Sequence, residues 1–360
     1  MPGATIGERL KLQRIRKTND MKGNKMIKLL VFGIAGVLGS TAYSQAQEKI
    51  ALTPELVAAA EKEGEVTVQY SDPVTVMQAV VKEFNKKYPG IRVNLERKAG
   101  TAGVQVLVQE YNANVDRVDL FIGSDIGANK AVIDAGALVA IEPENASDYE
   151  DSFFPMAPYV YYPDKATTVV MYNSDLVTDE EAKKLRDWKG ILDPAFKGRV
   201  NIVEPVFGVT LAPLLYVMNA PDMGEAFLKE LKKQEPAIYI NSAQSREAVI
   251  SGRQPIAWGV QWDAIAFSVI DTGAPIRFVY TDPTVEWWGQ GWGILKRAPH
   301  PNAARLFFAW GMSREGALAY QGPESYDRYA MKDLEDTRET FKKISKEPWY
   351  APVPKTWNPD

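Results

Sequence analysis

The 360-residue chain has no cysteine and one histidine, His300. Lacking cysteine, it can form no disulfide framework and carry no lipid-bearing thiol, so the fold must rest on its core. With no second histidine, His-based triads and the common zinc sites are excluded as well. His300 precedes Pro301 and reads as part of a surface turn. No GxSxG, HExxH or P-loop sequence occurs, and GQGWGI at 289–294 lacks the final Gly and the following helix of a dinucleotide fingerprint. There is no tandem repeat or low-complexity tract to support a structural or adhesion protein. The apolar run LLVFGIAGVL at 29–38 is too short to span a bilayer as a stable helix. An exported carboxylate-dependent hydrolase remains the enzymatic alternative, but 46 acidic residues offer too many pairs to single one out.

That short apolar run has a meaning of its own. Lys22, Lys25 and Lys28 precede it and GSTAYSQAQ follows, the order of a secretory signal peptide with cleavage after Ser44 or Ala46. Met21 or Met26 would start a signal of more usual length than Met1. Residues 1–46 are therefore expected to be an upstream extension plus signal. They hold eight Lys/Arg and two Asp/Glu, so the remainder carries 34 basic and 44 acidic residues. A balance that acidic argues against a nucleic-acid partner. Together these features point to a freely diffusing periplasmic protein that is not lipid-anchored.

The remaining length suffices for two lobes. LTPELVAAAEKE reads as a helix with a Thr cap and Pro in its first turn. GEVTVQYSD, IRVNLERK and VDLFIGSD read as strands, each followed by a helical segment. This alternation implies an α/β lobe with a largely parallel sheet, whose ligands bind beyond the carboxyl ends of the strands. Those ends are Tyr70-Ser71-Asp72, Lys98-Ala99-Gly100-Thr101 and Gly123-Ser124-Asp125. Ser71, Asp72, Thr101, Ser124 and Asp125 are accordingly candidate ligand residues, with simple helix capping as the competing explanation. The pattern restarts at about residue 165, and QPIAWGVQWDAIAF reads as a strand entering a helix. EPWYAPVPKTWNPD reads as a surface-wrapping tail with no regular element.

Four stretches together resemble the periplasmic solute-binding proteins of ABC importers, in the group of ferric-iron and spermidine/putrescine receptors. VVMYNSDLV (169–177) looks like that family's VxYNxxL strand, and DWKGILDPAFKGRVNIVEP (187–205) resembles its Trp, Leu-Asp-Pro, Lys-Gly signature. ISGRQPIAWGVQWDAIAF (250–267) is similar to the second-lobe ligand segment, and HPNAARLFFAWGMSREG (300–316) to its HPNAAxxFxxxxxSxEG helix. The likeness spans roughly residues 64–325. It implies a two-lobe periplasmic-binding-protein fold of class II type, each lobe a mixed sheet flanked by helices, with the ligand in the interlobe cleft. Lobe 1 is expected at 47–163 and 282–325, and lobe 2 at 164–281 and 326–360, with crossings near 163–166 and 280–283 and a return around 325. The implied function is non-enzymatic: a receptor that closes by hinge motion and delivers a small solute to permease subunits at the inner membrane, as a monomer without cofactors.

The ligand is less defined. In ferric relatives adjacent tyrosines near the start of the second-lobe helix hold the metal; the matching positions here are Trp262 and Asp263, and an indole cannot ligate iron. Tyr161-Tyr162 falls about a hundred residues too early, so direct ferric binding is disfavoured and a ferric chelate is the open alternative. In polyamine receptors a Trp and an Asp near EWWGQGW (286–292) grip the ligand. Trp287 and Trp288 supply the aromatics here, but Gly289 and Gln290 stand where the carboxylate would be, leaving Asp263 to replace it. An amine-bearing ligand or another small organic ion is therefore expected. Phe207, Gly208 and Thr210 open a helix whose amides would suit a carboxylate or phosphate. Trp258, Trp292 and Trp310 lie in apolar surroundings and read as core.

Overall fold

The computed structural model describes residues 47–98, 100–150, 154–205, 210–322, 328–336 and 338–357, with the side chain of Val260 left aside. The chain begins with β1 (Glu48–Ile50), α1 (Pro54–Glu63), β2 (Glu65–Tyr70), α2 (Val74–Lys87), β3 (Arg92–Arg97), α3 (Gly100–Asn112), β4 (Leu120–Gly123), α4 (Ile126–Asp134) and β5 (Ile141–Pro143). Local chemistry sets these boundaries. The Thr53 hydroxyl accepts from the Leu56 amide at the start of α1, Pro54 fills the first helical position, and Gly64 closes the helix at φ 75°. Val76, Met77, Val80 and Phe84 form the buried face of α2 at helical spacing.

The long strand β6 (Asp164–Asn173) opens the second half, followed by α5 (Asp179–Lys184), β7 (Val200–Val203), α6 (Ala212–Asn219), α7 (Gly224–Lys233), β8 (Ala237–Tyr239), α8 (Ser242–Ile250), β9 (Ile256–Trp262) and α9 (Asp263–Asp271). Then come β10 (Ile276–Val279), β11 (Thr284–Trp288), β12 (Gly291–Ile294), α10 (Pro301–Met312), α11 (Arg314–Tyr320), β13 (Arg328–Tyr329), α12 (Glu339–Ile344) and β14 (Thr356–Trp357).

Two sheets organise the molecule. The smaller has the order β12-β4-β2-β3. Its β2, β3 and β4 are parallel, as the strand–helix alternation predicts, while β12 runs antiparallel to β4. The larger has the order β14-β11-β6-β9-β7-β8, with β10 and β13 also pairing with β6. Along β6, β10 pairs with Val170–Asn173 and β11 continues at Lys165–Thr167, so the two form one interrupted ribbon. The chain leaves the larger sheet after Trp288 and joins the smaller at Gly291.

The tryptophans expected in the core are there. Trp292 and Trp310 are fully buried and Trp258 nearly so. Trp292 stacks on Phe307 with ring centroids 5.9 Å apart and planes 13° off parallel. Two sequence expectations need correction. HPNAARLFFAWGMSREG forms two helices, because the Ser313 hydroxyl accepts from the Gly316 amide and starts α11. The C-terminal tail is not wholly irregular: Thr356 and Trp357 pair in parallel with Thr284 and Val285, and Trp357 meets Tyr216 edge-on at 5.3 Å.

Candidate functional site

The carboxyl ends of β2, β3 and β4 each lead into a helix, which places Ser71, Thr101, Ser124 and Asp125 along one sheet edge. Two of these side chains are engaged with each other: Asp125 accepts from the Thr101 hydroxyl. Asp125 also accepts from the Ala128 amide at 3.1 Å and caps α4, so the capping role assigned to such residues operates here. Ser71 and Asp72 do not cap α2, whose N-cap is Pro73. Ser71 donates instead to the Gln290 side-chain carbonyl at 2.7 Å, and Asp72 is buried, its backbone carbonyl accepting from Arg97 Nε at 2.8 Å. Ser124 is exposed.

Gln290 ties this edge to the strands that leave the other sheet. Its amide donates to Asp164 Oδ1 at 2.8 Å, and the Gly289 amide donates to the Asp164 carbonyl at 2.9 Å. The glycines here answer to close approach. A Cβ on Gly289 would lie 2.0 Å from Asp164 Oδ2, and one on Gly291 2.6 Å from Asn129 Nδ2.

Alternation along β11 separates its two tryptophans. Trp287 is 8% exposed and packs with Val285, Trp258 and Tyr172 in the core of the larger sheet. Trp288 is half-buried and touches three separate hydrophobic clusters, two built mainly on the smaller sheet and one on the larger. The rings meet edge-on at 5.2 Å. Trp288 pairs with Lys165 across the strands, and Lys165 pairs on its other side with Arg328 of β13. Directly paired side chains share a face, so Arg328, Lys165 and Trp288 form one row, with Thr167 and Glu286 in the next.

This face is charged and mostly buried. Lys165 Nζ lies 2.9 Å from Glu150 and 3.3 Å from Glu286, whose side chain is 2% exposed. The Thr167 hydroxyl reaches Glu286 Oε1 at 3.4 Å. Burial lifts the Glu286 carboxyl above the ordinary glutamate value, against the pull of Lys165. At the start of α9, Asp263 is fully enclosed. Its Oδ1 accepts from the Ala264 amide at 2.9 Å, and its Oδ2 from the Tyr280 hydroxyl at 3.1 Å and Arg328 Nη1 at 3.2 Å. Burial, with Asp263 alongside, raises the Tyr280 phenol well above its usual value.

The structure thus gathers Ser71, Thr101, Ser124, Asp125 and Trp288 around the end of the smaller sheet and the crossing strands, with Trp262 half-buried beside Asp263 at the end of β9. Thr210 precedes α6, whereas Phe207 and Gly208 lie outside the described residues. Sequence reading did not single out Lys165, Glu286, Arg328 and Gln290, which the structure adds as candidates through their contacts here. Glu286 and Gln290 lie within EWWGQGW, but nothing local indicates that Lys165 and Arg328 meet there. Among the described residues no three His, Cys, Asp or Glu side chains gather as a metal-holding group. Tyr161 and Tyr162 are buried, with their hydroxyls on the Ile141 carbonyl at 2.6 Å and on Asn129 at 2.9 Å. Burial raises Tyr161 to about 12, a further cost to any phenolate there.

Comparison with solved structures sets this arrangement in context. Iron-bound HitA from Pseudomonas aeruginosa is similar at 22% identity and a TM-score of 0.62, over 75% of this chain and 88% of its own. A Trichodesmium protein (IdiA, FutA) in complex with iron and citrate matches at 18% identity and 0.64, over 78% and 90%. AfuA from Actinobacillus pleuropneumoniae, with fructose-6-phosphate bound, matches at 18% and 0.59, over 76% and 87%. At these identities the likeness establishes the fold: two lobes, each a mixed sheet flanked by helices. No curated protein sequence matches significantly. The model of the bacterial extracellular solute-binding protein family matches residues 67–318, and the chain belongs to that family.

Proposed function

We propose that this protein is a periplasmic substrate-binding receptor, without catalytic activity of its own, that delivers a small organic ion to an ABC-type importer by hinge closure. The observation that carries the reading is the pairing of β6 with β11, which puts Trp288 against cores built on both sheets and lines one face with Lys165, Glu286 and Arg328. In this reading lobe 1 comprises 47–163 and 282–325 and lobe 2 comprises 164–281 and 326–360, with β6 and β11 as the connecting ribbon. The ligand lies between the sheet edge at Ser71, Thr101, Ser124 and Asp125 and the second-lobe edge at Thr210 and Trp262. Export through cleavage after Ser44 or Ala46, permease subunits as partner and a monomeric state complete the proposal.

Iron in the neighbouring structures does not make this chain a ferric receptor. Trp262 and Asp263 supply no phenolate where the resemblance would place one, and the Asp263 carboxylate is already held by Arg328 and Tyr280. The test is to purify the exported protein, denature it, identify released small molecules by mass spectrometry, and add each back in a thermal-shift assay. A ligand raises the melting temperature by linkage. The expected result is an intact small molecule whose return raises Tm, with a loss of about tenfold or more in its affinity in Trp288→Ala. Chemical conversion of that molecule by the protein would point to an enzyme instead.

A further inference from the structure

The amine-bearing ligand expected from sequence depends on Asp263 presenting a free carboxylate, and the hydrogen bonds around the crossing strands argue otherwise. Asp263 accepts from Ala264, Tyr280 and Arg328. Glu286 is held by Lys165 and Thr167, and Asp125 by Thr101 and the α4 amide of Ala128. The donors are less committed. Among the described residues Arg328 donates only through Nη1, towards Asp263, and its Nε and Nη2 meet no acceptor; its side chain is 28% exposed. Gln290 accepts from Ser71 through Oε1, and its Nε2 donates to no described residue.

Charge at the neighbouring helix starts points the same way. Helices α1, α5, α7, α11 and α12 carry an acidic residue in the first turn, and α10 receives the Glu63 carboxylate on its Asn302 and Ala303 amides. The helices α2, α3 and α4 that follow the strand ends of the smaller sheet carry none in the first turn, although Asp125 caps α4. Of those that follow strands of the larger sheet, α6 and α8 carry none, while α9 carries Asp263, which Tyr280 and Arg328 hold. The positive ends of α2, α3, α6 and α8 thus have no first-turn carboxylate of their own helix to offset them.

From this we infer that the ligand carries an anionic group, carboxylate or phosphoryl, received by the free Nε–Nη2 side of the Arg328 guanidinium. The inference rests on the receptor reading and deepens it by naming the ligand's charge. Arg328 suits the role because its planar fork can hold Asp263 on one side and a second anion on the other. Lys165 stands one strand over in the same row, but its ammonium is already engaged by Glu150 and Glu286, so the receiving role falls to Arg328.

The test is a thermal-shift and calorimetric panel on the exported protein: citrate and succinate for carboxylates, inorganic phosphate and glycerol 3-phosphate for phosphoryl groups, putrescine and spermidine for amines, glucose as a neutral solute. The expected result is that a carboxylate or a phosphoryl probe raises Tm and the amines do not, the two arms separating the sources of the anion. Arg328→Gln should weaken that probe by about tenfold or more. Because Arg328→Gln also leaves Asp263 enclosed without its cation, Arg328→Lys is the second variant: it keeps the ion pair but loses the fork, and should weaken the same probe while Tm without ligand stays close to wild type. Stabilisation by an amine or by glucose, indifferent to Arg328→Lys, would overturn the inference and leave the receptor reading standing. No shift from any probe, with no small molecule released on denaturation, would overturn both.

Discussion

Trp287 and Trp288 are neighbours in sequence with opposite surroundings, because successive side chains on a strand point to opposite faces. Trp287 is enclosed by the larger sheet's core, whereas Trp288 stands where clusters from both sheets meet. Trp292 is core outright: it stacks on Phe307, and Gly311 leaves room for its ring, since a Cβ there would sit 2.5 Å from Trp292 Cζ3. Trp292→Ala should therefore cost about 3–5 kcal/mol of stability, read from urea denaturation. Glu286 makes a pH prediction. A carboxyl whose folded pKa lies above its unfolded value stabilises fully below the unfolded value, near 4.5, and that contribution is lost as pH rises through the folded value. Glu286→Gln should therefore gain in Tm relative to wild type as pH climbs from 4.5 towards neutrality, whereas a difference independent of pH would contradict the assignment. The core tryptophans were legible from their apolar neighbours. The state of Asp263 was not, because its partners Tyr280 and Arg328 lie 17 and 65 residues away in the chain.

At the scale of elements, the decisive feature is the crossing at Gly289-Gln290. Asp164 receives both amides there, which pins the start of β6 to the end of β11. Gly289→Ala would drive a methyl into Asp164 and should cost about 1–3 kcal/mol, checked by thermal denaturation. Strands and helices were largely readable because each carries its own period and punctuation: Thr53-Pro54 at the start of α1, Gly64 at its end, buried alternation in β2. What sequence misplaced were boundaries set by distant pairing. Ser313 breaks a helix that periodicity alone would continue, and β14 exists only because β11 offers it an edge.

Across the whole molecule, the chain passes from the larger sheet, which holds β6 and β11, to the smaller at β12, and the bacterial extracellular solute-binding family model matches residues 67–318. Among the described residues no helix is long and apolar enough to cross a membrane. Fold class and receptor family were legible because four motifs occur in the right order. The charged face was not, because Lys165 and Glu286 are 121 residues apart and meet only when β6 and β11 pair. Closure of the two lobes on a solute is the central claim, and small-angle X-ray scattering of the exported protein tests it most directly, with its co-purified solute removed and then restored. The account predicts a smaller radius of gyration on restoring the solute, reversed on its removal. A solute that binds with no change in the radius of gyration would contradict it.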